Sequence, residues 1–411
     1  MKKMRVLWFC NTPAAGDEYI GSNCTGGWLK SLDKAIQDKI ELHVAFVDKR
    51  FPEEFVAGNT TYHQLTPHNK LMLIKGRLQK LFGHDVGLKR CLDVIDKVNP
   101  DVIHIHGTER SWIKIVQYTK IPVLLSIQAI LAVMNYKYYS GIKKKDLSLW
   151  SGYRKAYRDF LKAGRIEHDG LKHVHYVMGR TDWDRRVYSV LAPHSKYFVG
   201  GEILRDVFYK NKWEMPKRND GKVIIHTTTG TLLFKGLETI CLAVTILNRI
   251  GVKIEWRVAG ICDNHELVHI VKRSLGKDYP TSGLFLLGSL QESELIIKML
   301  EADIFVSPSH QDNSSNALCE ATILGMPCIA TFAGGTGSII KDGETGILVQ
   351  DGDPWAMAGA IKELSGNKSQ MLKYSANARN EALIQHKKEA IVNQVISAYS
   401  IIKEESDSKR Q

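Results

Sequence analysis

Short apolar runs rich in β-branched residues alternate along this chain with longer stretches of helical periodicity, and this alternation limits the fold more than any other feature. The first half contains the runs Arg5–Cys10, Glu41–Val47, Val102–His106, Val123–Ile127 and His175–Gly179. The second half contains Val223–Thr228, Ile254–Ala259, Leu284–Leu287, Ile304–Ser307, Cys328–Thr331 and Gly346–Val349. Most are followed by Gly, Pro, Ser or Asn, and most intervening segments are long enough for a crossover helix. Such a pattern predicts parallel sheets with helices on both faces. Right-handed crossovers then place ligands at the carboxyl ends of the strands. A polar stretch near 205–221 separates the halves. The expected fold class is α/β, with two doubly wound, Rossmann-like lobes facing a central cleft. The expected boundaries are 1–212, 213–385 and 386–411, the last a helix and a highly charged tail.

Composition narrows the class. The chain has 411 residues, 44% of them apolar and 24% charged, as expected of a globular enzyme. The apolar run behind Lys2, Lys3 and Arg5 ends at Asn11, well short of the roughly 7–15 apolar residues of a secretory leader. No stretch approaches the ~20 apolar residues of a membrane span, so a cytoplasmic location is expected. Seven cysteines without a Cys-x-x-Cys pair suggest reduced, mostly buried thiols. The net charge of +12 favours an anionic partner. Without zinc fingers or an aromatic–basic repeat, nucleic acid is not the expected one.

The strongest local signal runs from Ala302 to Val349. A strand ends in Ser307-Pro308-Ser309, and a polar loop carries Asp312. A helix starting near Asn316 carries Glu320 and ends at Gly325; a second strand leads to Gly334 and Gly335. Both acids thus fall near strand ends or a helix start, where unpaired backbone N–H groups attract phosphate. A second signal is Thr229-Gly230 followed by Lys235-Gly236 at the opening of a helix.

These residues resemble glycosyltransferase family 4, whose members have the two-lobed GT-B fold and act with retention at the anomeric carbon. Ser309, Asp312, Glu320, Ala321, Gly325, Pro327, Gly334 and Gly335 stand in the register of that family's signature. The chain departs from it at three places. Asp312 stands where Glu is usual, Asn313-Ser314-Ser315 replaces Gly-Phe-Gly, and Thr229-Gly230 stands where the family has Gly-Arg. The resemblance implies that Glu320 holds the donor ribose, that Asp312 lies near the donor sugar, that Lys235 neutralises the diphosphate beside Gly230, Gly236 and Asn316, and that Gly334 and Gly335 also bind substrate. It also implies that His106, in Asp101-Val-Ile-His-Ile-His106, lies near the reaction centre, and that Gly26 and Gly27 admit donor phosphate or acceptor. The implied catalytic group is His106, Lys235 and Asp312.

Other residues follow from the sequence itself. Arg180, after the strand His175–Gly179, is expected to face the cleft. His104 shares the face of His106, a pair too small to specify a metal site. The triplets Asp182-Trp-Asp184 and Asp351-Gly-Asp353 read as helix caps, the second followed by Pro354. No metal and no cofactor is expected. The run 70–81, with Leu71, Ile74, Leu78 and Leu81 beside Lys70, Lys75, Arg77 and Lys80, reads as a basic amphipathic helix for the core or for anionic lipid. The stretch from Tyr136 to Trp150, with Lys143, Lys144 and Lys145, suits either an acceptor lipid or solvent.

The expected function is metal-independent, hexosyltransferase-type transfer from a UDP-, GDP- or ADP-sugar to a glycan or lipid-linked acceptor. The expected role is surface polysaccharide or glycolipid synthesis, with peripheral attachment to the inner face of the cell membrane as a possible location. Two alternatives are a non-catalytic sugar- or nucleotide-binding protein and a nucleotide-sugar epimerase or NAD-dependent enzyme. The latter requires Gly-x-Gly-x-x-Gly after the first strand, where this chain has Asn11-Thr-Pro-Ala-Ala-Gly16.

Overall fold

Val6, Leu7, Trp8 and Phe9 have no solvent exposure, because strand β1 (Arg5–Phe9) lies between two parallel neighbours and under helices on both faces. Those neighbours are β2 (Glu41–Phe46) and β5 (Val102–His106). The computed structural model describes residues 3–21, 27–66, 86–218 and 220–409. Gly26 and the basic run 70–81 lie outside the described residues.

The first sheet has eight strands, adding β3 (Glu54–Ala57), β4 (Thr60–Gln64), β6 (Val123–Ser126), β7 (Tyr176–Gly179) and β8 (Lys196–Val199) in the order β3-β4-β2-β1-β5-β6-β7-β8. All pairings are parallel except that of β3 with β4. The second sheet has six parallel strands: β9 (Val223–Thr228), β10 (Ile254–Ala259), β11 (Leu284–Gly288), β12 (Ile304–Ser307), β13 (Cys328–Thr331) and β14 (Ile347–Val349). Their order is β11-β10-β9-β12-β13-β14.

Both orders fix where ligands bind. Strand succession reverses direction between β1 and β5 in the first sheet and between β9 and β12 in the second, and a crevice opens at each reversal. His106 ends β5, and the helix Gly27–Ile36 follows β1. The loops 229–236 and 308–315 follow β9 and β12.

The strands β3, β4 and β8 do not appear in the sequence reading. Strand β4 consists of Thr, Thr, Tyr, His and Gln, which carries no apolar signal. It is buried because Thr60 and Tyr62 donate hydrogen bonds to the carboxylate of Asp33, at 2.7 and 2.6 Å. Strand β8 is a sheet edge, and none of its side chains is fully buried.

The chain crosses between the lobes twice. The outgoing segment passes Glu202, Leu204 and Arg205. The return passes His386 and enters the helix Lys388–Ser408, which packs on the first lobe. There Ile391, Val392, Val395, Ala398, Tyr399 and Ile402 join the core around Val6, Trp8 and Leu29. The Tyr399 hydroxyl accepts from Trp8 Nε1 at 2.9 Å and lies 2.6 Å from His104 Nδ1. The two crossings are stitched together: His386 Nδ1 contacts the Glu202 carbonyl at 2.9 Å, and the Tyr209 hydroxyl donates to the His386 carbonyl at 2.7 Å.

The stretch from Tyr136 to Trp150 is divided. Tyr138, Ile142 and Leu147 pack into the second lobe's core, while Leu149 and Trp150 are 83% and 94% exposed. No helix among the described residues is long and apolar enough to cross a membrane.

Candidate active site

A cleft of about 1160 Å³ opens between the lobes. Its second-lobe wall is made of the two loops at the sheet's crevice. Gly236 has φ 79°, and a Cβ there would run into the Pro308 carbonyl, so only glycine lets the 229–236 loop pack on the 308–315 loop. A backbone bond from His310 N to Phe234 O, 2.8 Å, ties the loops together. Lys235 and Asp312 then meet, Nζ to Oδ2, at 2.7 Å.

Gly230 has nothing within contact distance of a notional Cβ, and this open space leads past Lys235 to the amino terminus of the helix Asn316–Leu324. Ser315 caps that helix, accepting from Leu318 N at 3.4 Å, and Ser314, Ser315, Asn316 and Ala317 line the cleft. Backbone N–H groups at this end are placed for an anion. One turn further in, the largely buried Glu320 reaches the same cleft. Burial pushes its carboxyl up to about 7, opposed by the Arg205 guanidinium.

Of the residues singled out from the sequence, Gly27, Gly230, Lys235, Asp312, Asn316 and Glu320 line this cleft. Gly334 and Gly335 stand behind it, supporting the loop that presents Asp312; Gly335 N donates to Asp312 O at 3.0 Å. A Cβ at Gly334 would meet the Asp312 carbonyl.

His106 and Arg180 line a separate small cavity, with Trp28 forming part of both walls. His106 is fully buried, and neither ring nitrogen has a hydrogen-bond partner among the described residues. Its ring centroid lies 3.8 Å from that of His104 and 4.6 Å from that of Trp8. Burial holds it well below the ordinary histidine value, so it is neutral at physiological pH. The Arg180 guanidinium stacks 4.2 Å from the Trp28 ring and pairs with the buried Glu202. Glu202 also accepts from Ser314 Oγ at 2.9 Å, so this cluster spans the two lobes.

One Asp of each triplet takes part in a helix cap. Asp353 accepts from Trp355 N and Ala356 N, both at 2.9 Å. At the other triplet Thr181 is the N-cap, and Asp184 completes the capping box.

Two residues in this region escaped the sequence reading. Arg205, in the segment read as linker, bonds Glu320. His310 lies between Glu238, at 2.5 Å, and Asp351, at 3.4 Å, and Asp351 also pairs with Lys137 of the first lobe at 2.9 Å.

Residues 209–381 match the sequence model of the family described as glycosyl transferases group 1. The matched segment falls in the second lobe. It contains Lys235, Asp312 and Glu320. Over 110 residues, 27% of this chain, the sequence is 32% identical to a D-inositol 3-phosphate glycosyltransferase of Geodermatophilus obscurus, and this match spans 24% of that relative's length. A longer match, 23% identical over 320 residues, covers 74% of this chain and 77% of a 2-deoxystreptamine N-acetyl-D-glucosaminyltransferase of Niallia circulans. Among solved structures, sucrose-phosphate synthase from Thermosynechococcus elongatus superposes with a TM-score of 0.73 at 14% identity, covering 97% of this chain and 99% of that one. Anabaena HepE, solved with UDP and glucose, gives 0.63 at 13% identity over 97% and 99% of the two chains. With the two parallel-sheet lobes, these likenesses establish the GT-B fold.

Proposed function

We propose that this chain is a retaining, metal-independent glycosyltransferase of family 4 that moves a sugar from a nucleoside-diphosphate sugar to an acceptor hydroxyl. The observation that carries the reading is the convergence of Lys235, Asp312, Glu320 and the amino end of the helix Asn316–Leu324 on one interlobe cleft. Glu320 accepts the ribose hydroxyls. Lys235 and the helix amides meet the diphosphate, whose negative charge grows as its bond to the anomeric carbon breaks. Asp312 orients the Lys235 ammonium and faces the donor sugar. His106 is the first lobe's contribution to the reaction centre, reached when the Trp28 ring between its cavity and the cleft moves aside. Lobe closure excludes water, which would otherwise take the acceptor's place.

The acceptor reading is a lipid-linked precursor of a surface polysaccharide or glycolipid, handled at the anionic inner face of the cell membrane. Its support is the exposed Leu149-Trp150 pair, which follows the exposed Lys143, Lys144 and Lys145 closely along the chain.

The test is a thermal-shift screen with UDP, GDP and ADP, followed by calorimetry and a donor-hydrolysis assay. A cognate nucleotide at ~100 times its Kd should stabilise the fold by about 2.7 kcal/mol. Glu320→Ala should weaken its binding. Binding without any turnover of the matching nucleotide sugar would point to a non-catalytic binder instead.

A further inference from the structure

Arg205 lies on the outgoing crossing between the lobes, in a stretch whose polar composition reads as a plain connector. Its side chain is held from several directions. Nε and Nη2 both bond Glu320 Oε1, at 2.9 and 2.8 Å. Nη1 reaches Glu292 Oε2 at 3.4 Å, and the guanidinium lies 4.7 Å from the Phe208 ring centroid. The stem lies against Gly27, where a Cβ would come within 2.8 Å of Arg205 Cγ. The glycine at the start of this first-lobe helix therefore makes room for an arginine of the crossing segment.

Both contacts to Glu320 fall on Oε1. Oε2 takes no hydrogen bond from the described residues, and Glu320 lines the cleft. Building on the ribose role proposed above for Glu320, we infer that Arg205 is a positioning residue. It grips one oxygen of the Glu320 carboxylate and leaves the other to the hydroxyls of the donor ribose.

Two physical arguments support the assignment. Two donors from one planar guanidinium converge on Oε1 and anchor that oxygen, where a lysine would offer only a point charge. Glu320 is also buried enough that its charge needs a partner, and Arg205 is the cation bonded to it. An ionised carboxylate forms roughly twice as strong a hydrogen bond to a hydroxyl as a neutral acceptor does. Loss of the guanidinium would therefore weaken ribose recognition by letting Glu320 take up a proton.

The test compares UDP, GDP and ADP with their 2′-deoxy counterparts by calorimetry from pH 6 to 9. It uses the wild type, Arg205→Met, which keeps the stem against Gly27, and Arg205→Lys, which keeps the charge. Circular dichroism confirms that each variant is folded, and Arg205→Lys carries the test if Arg205→Met does not fold. The wild type is expected to prefer the ribonucleotide at pH 7. Arg205→Met should lose about tenfold in ribonucleotide affinity at pH 7, lose most of the ribose preference, and regain both toward pH 9. Arg205→Lys should keep the wild-type pH midpoint with a smaller loss. An unchanged ribose preference and pH profile in Arg205→Met would overturn the inference, as would tighter binding, which would mark Arg205 as an obstruction. A wild type that binds none of these nucleotides would overturn the proposed function itself, and this inference with it.

Discussion

Lys235 Nζ rests 2.7 Å from Asp312 Oδ2, so the cation at the start of one second-lobe helix is held by the acid of the neighbouring loop. Alone at the start of the helix Leu237–Arg249, a lysine would oppose the helix dipole. Paired with Asp312 it is fixed over the cleft. Lys235→Ala should lower turnover by about 10²-fold or more at saturating donor, as loss of a transition-state contact does. Steady-state kinetics on radiolabelled nucleotide sugar measure it, and near-wild-type kcat would exclude Lys235 from the chemistry.

The Tyr399 hydroxyl joins the returning helix to the buried groups of Trp8 and His104. Tyr399→Phe leaves both without this partner, and each buried orphan costs about 1–3 kcal/mol. The variant should unfold at lower urea concentration with an unchanged m-value. A denaturation midpoint equal to that of the wild type would contradict the bonding described.

Acid should destabilise the fold between about pH 6.5 and 4. Burial pushes His104 and His226 down to about 3 and His106 well below its ordinary value, whereas unfolding returns each toward about 6.5. Within that window the unfolded chain binds more protons, so stability is full above 6.5 and falls as pH falls, by up to about 1.4 kcal/mol per unit for each such histidine. His310 has the opposite sign. Its carboxylate partners Glu238 and Asp351 raise its value against the effect of burial, so its contribution is full below about 6.5 and fades as pH rises through the folded value. Urea midpoints across pH 4–9 should show a steep acid limb, which His104→Gln should flatten.

Trp150 and Leu149 should matter for lipid binding and not for folding. Replacing both by Ser should abolish most cosedimentation with vesicles containing phosphatidylserine, and replacing Lys143, Lys144 and Lys145 by Gln should cost about 1 kcal/mol for each charge removed. Thermal midpoints should stay within about 1 °C, since neither apolar side chain is buried. Equal cosedimentation of wild type and variants would remove the membrane from the proposal.

What the sequence discloses of this molecule depends on how local each feature is. The apolar strands of both sheets are legible because strands buried on both faces in a parallel sheet read as continuous apolar runs. The polar strand β4 is not, since its burial rests on hydrogen bonds to Asp33 of a distant helix. Lys235 and Asp312 lie in recognisable loops, and Glu320 in the helix after the second of them, all at fixed spacing. Arg205 shows no such signature. Its position depends on a chain crossing that brings residue 205 against residues 27, 292 and 320 at once. Sequence spacing likewise places Arg180 at a strand end but not its engagement with Trp28 and Glu202.

The return of Lys388–Ser408 to the first lobe also governs the order of assembly. Val6 and Trp8 are made well before part of what covers them, Val395 and Tyr399. The last strand of the second lobe ends at Val349, well before either of them. During synthesis the first lobe must therefore wait with an unfilled groove until the helix Lys388–Ser408 arrives, and the second can settle before it.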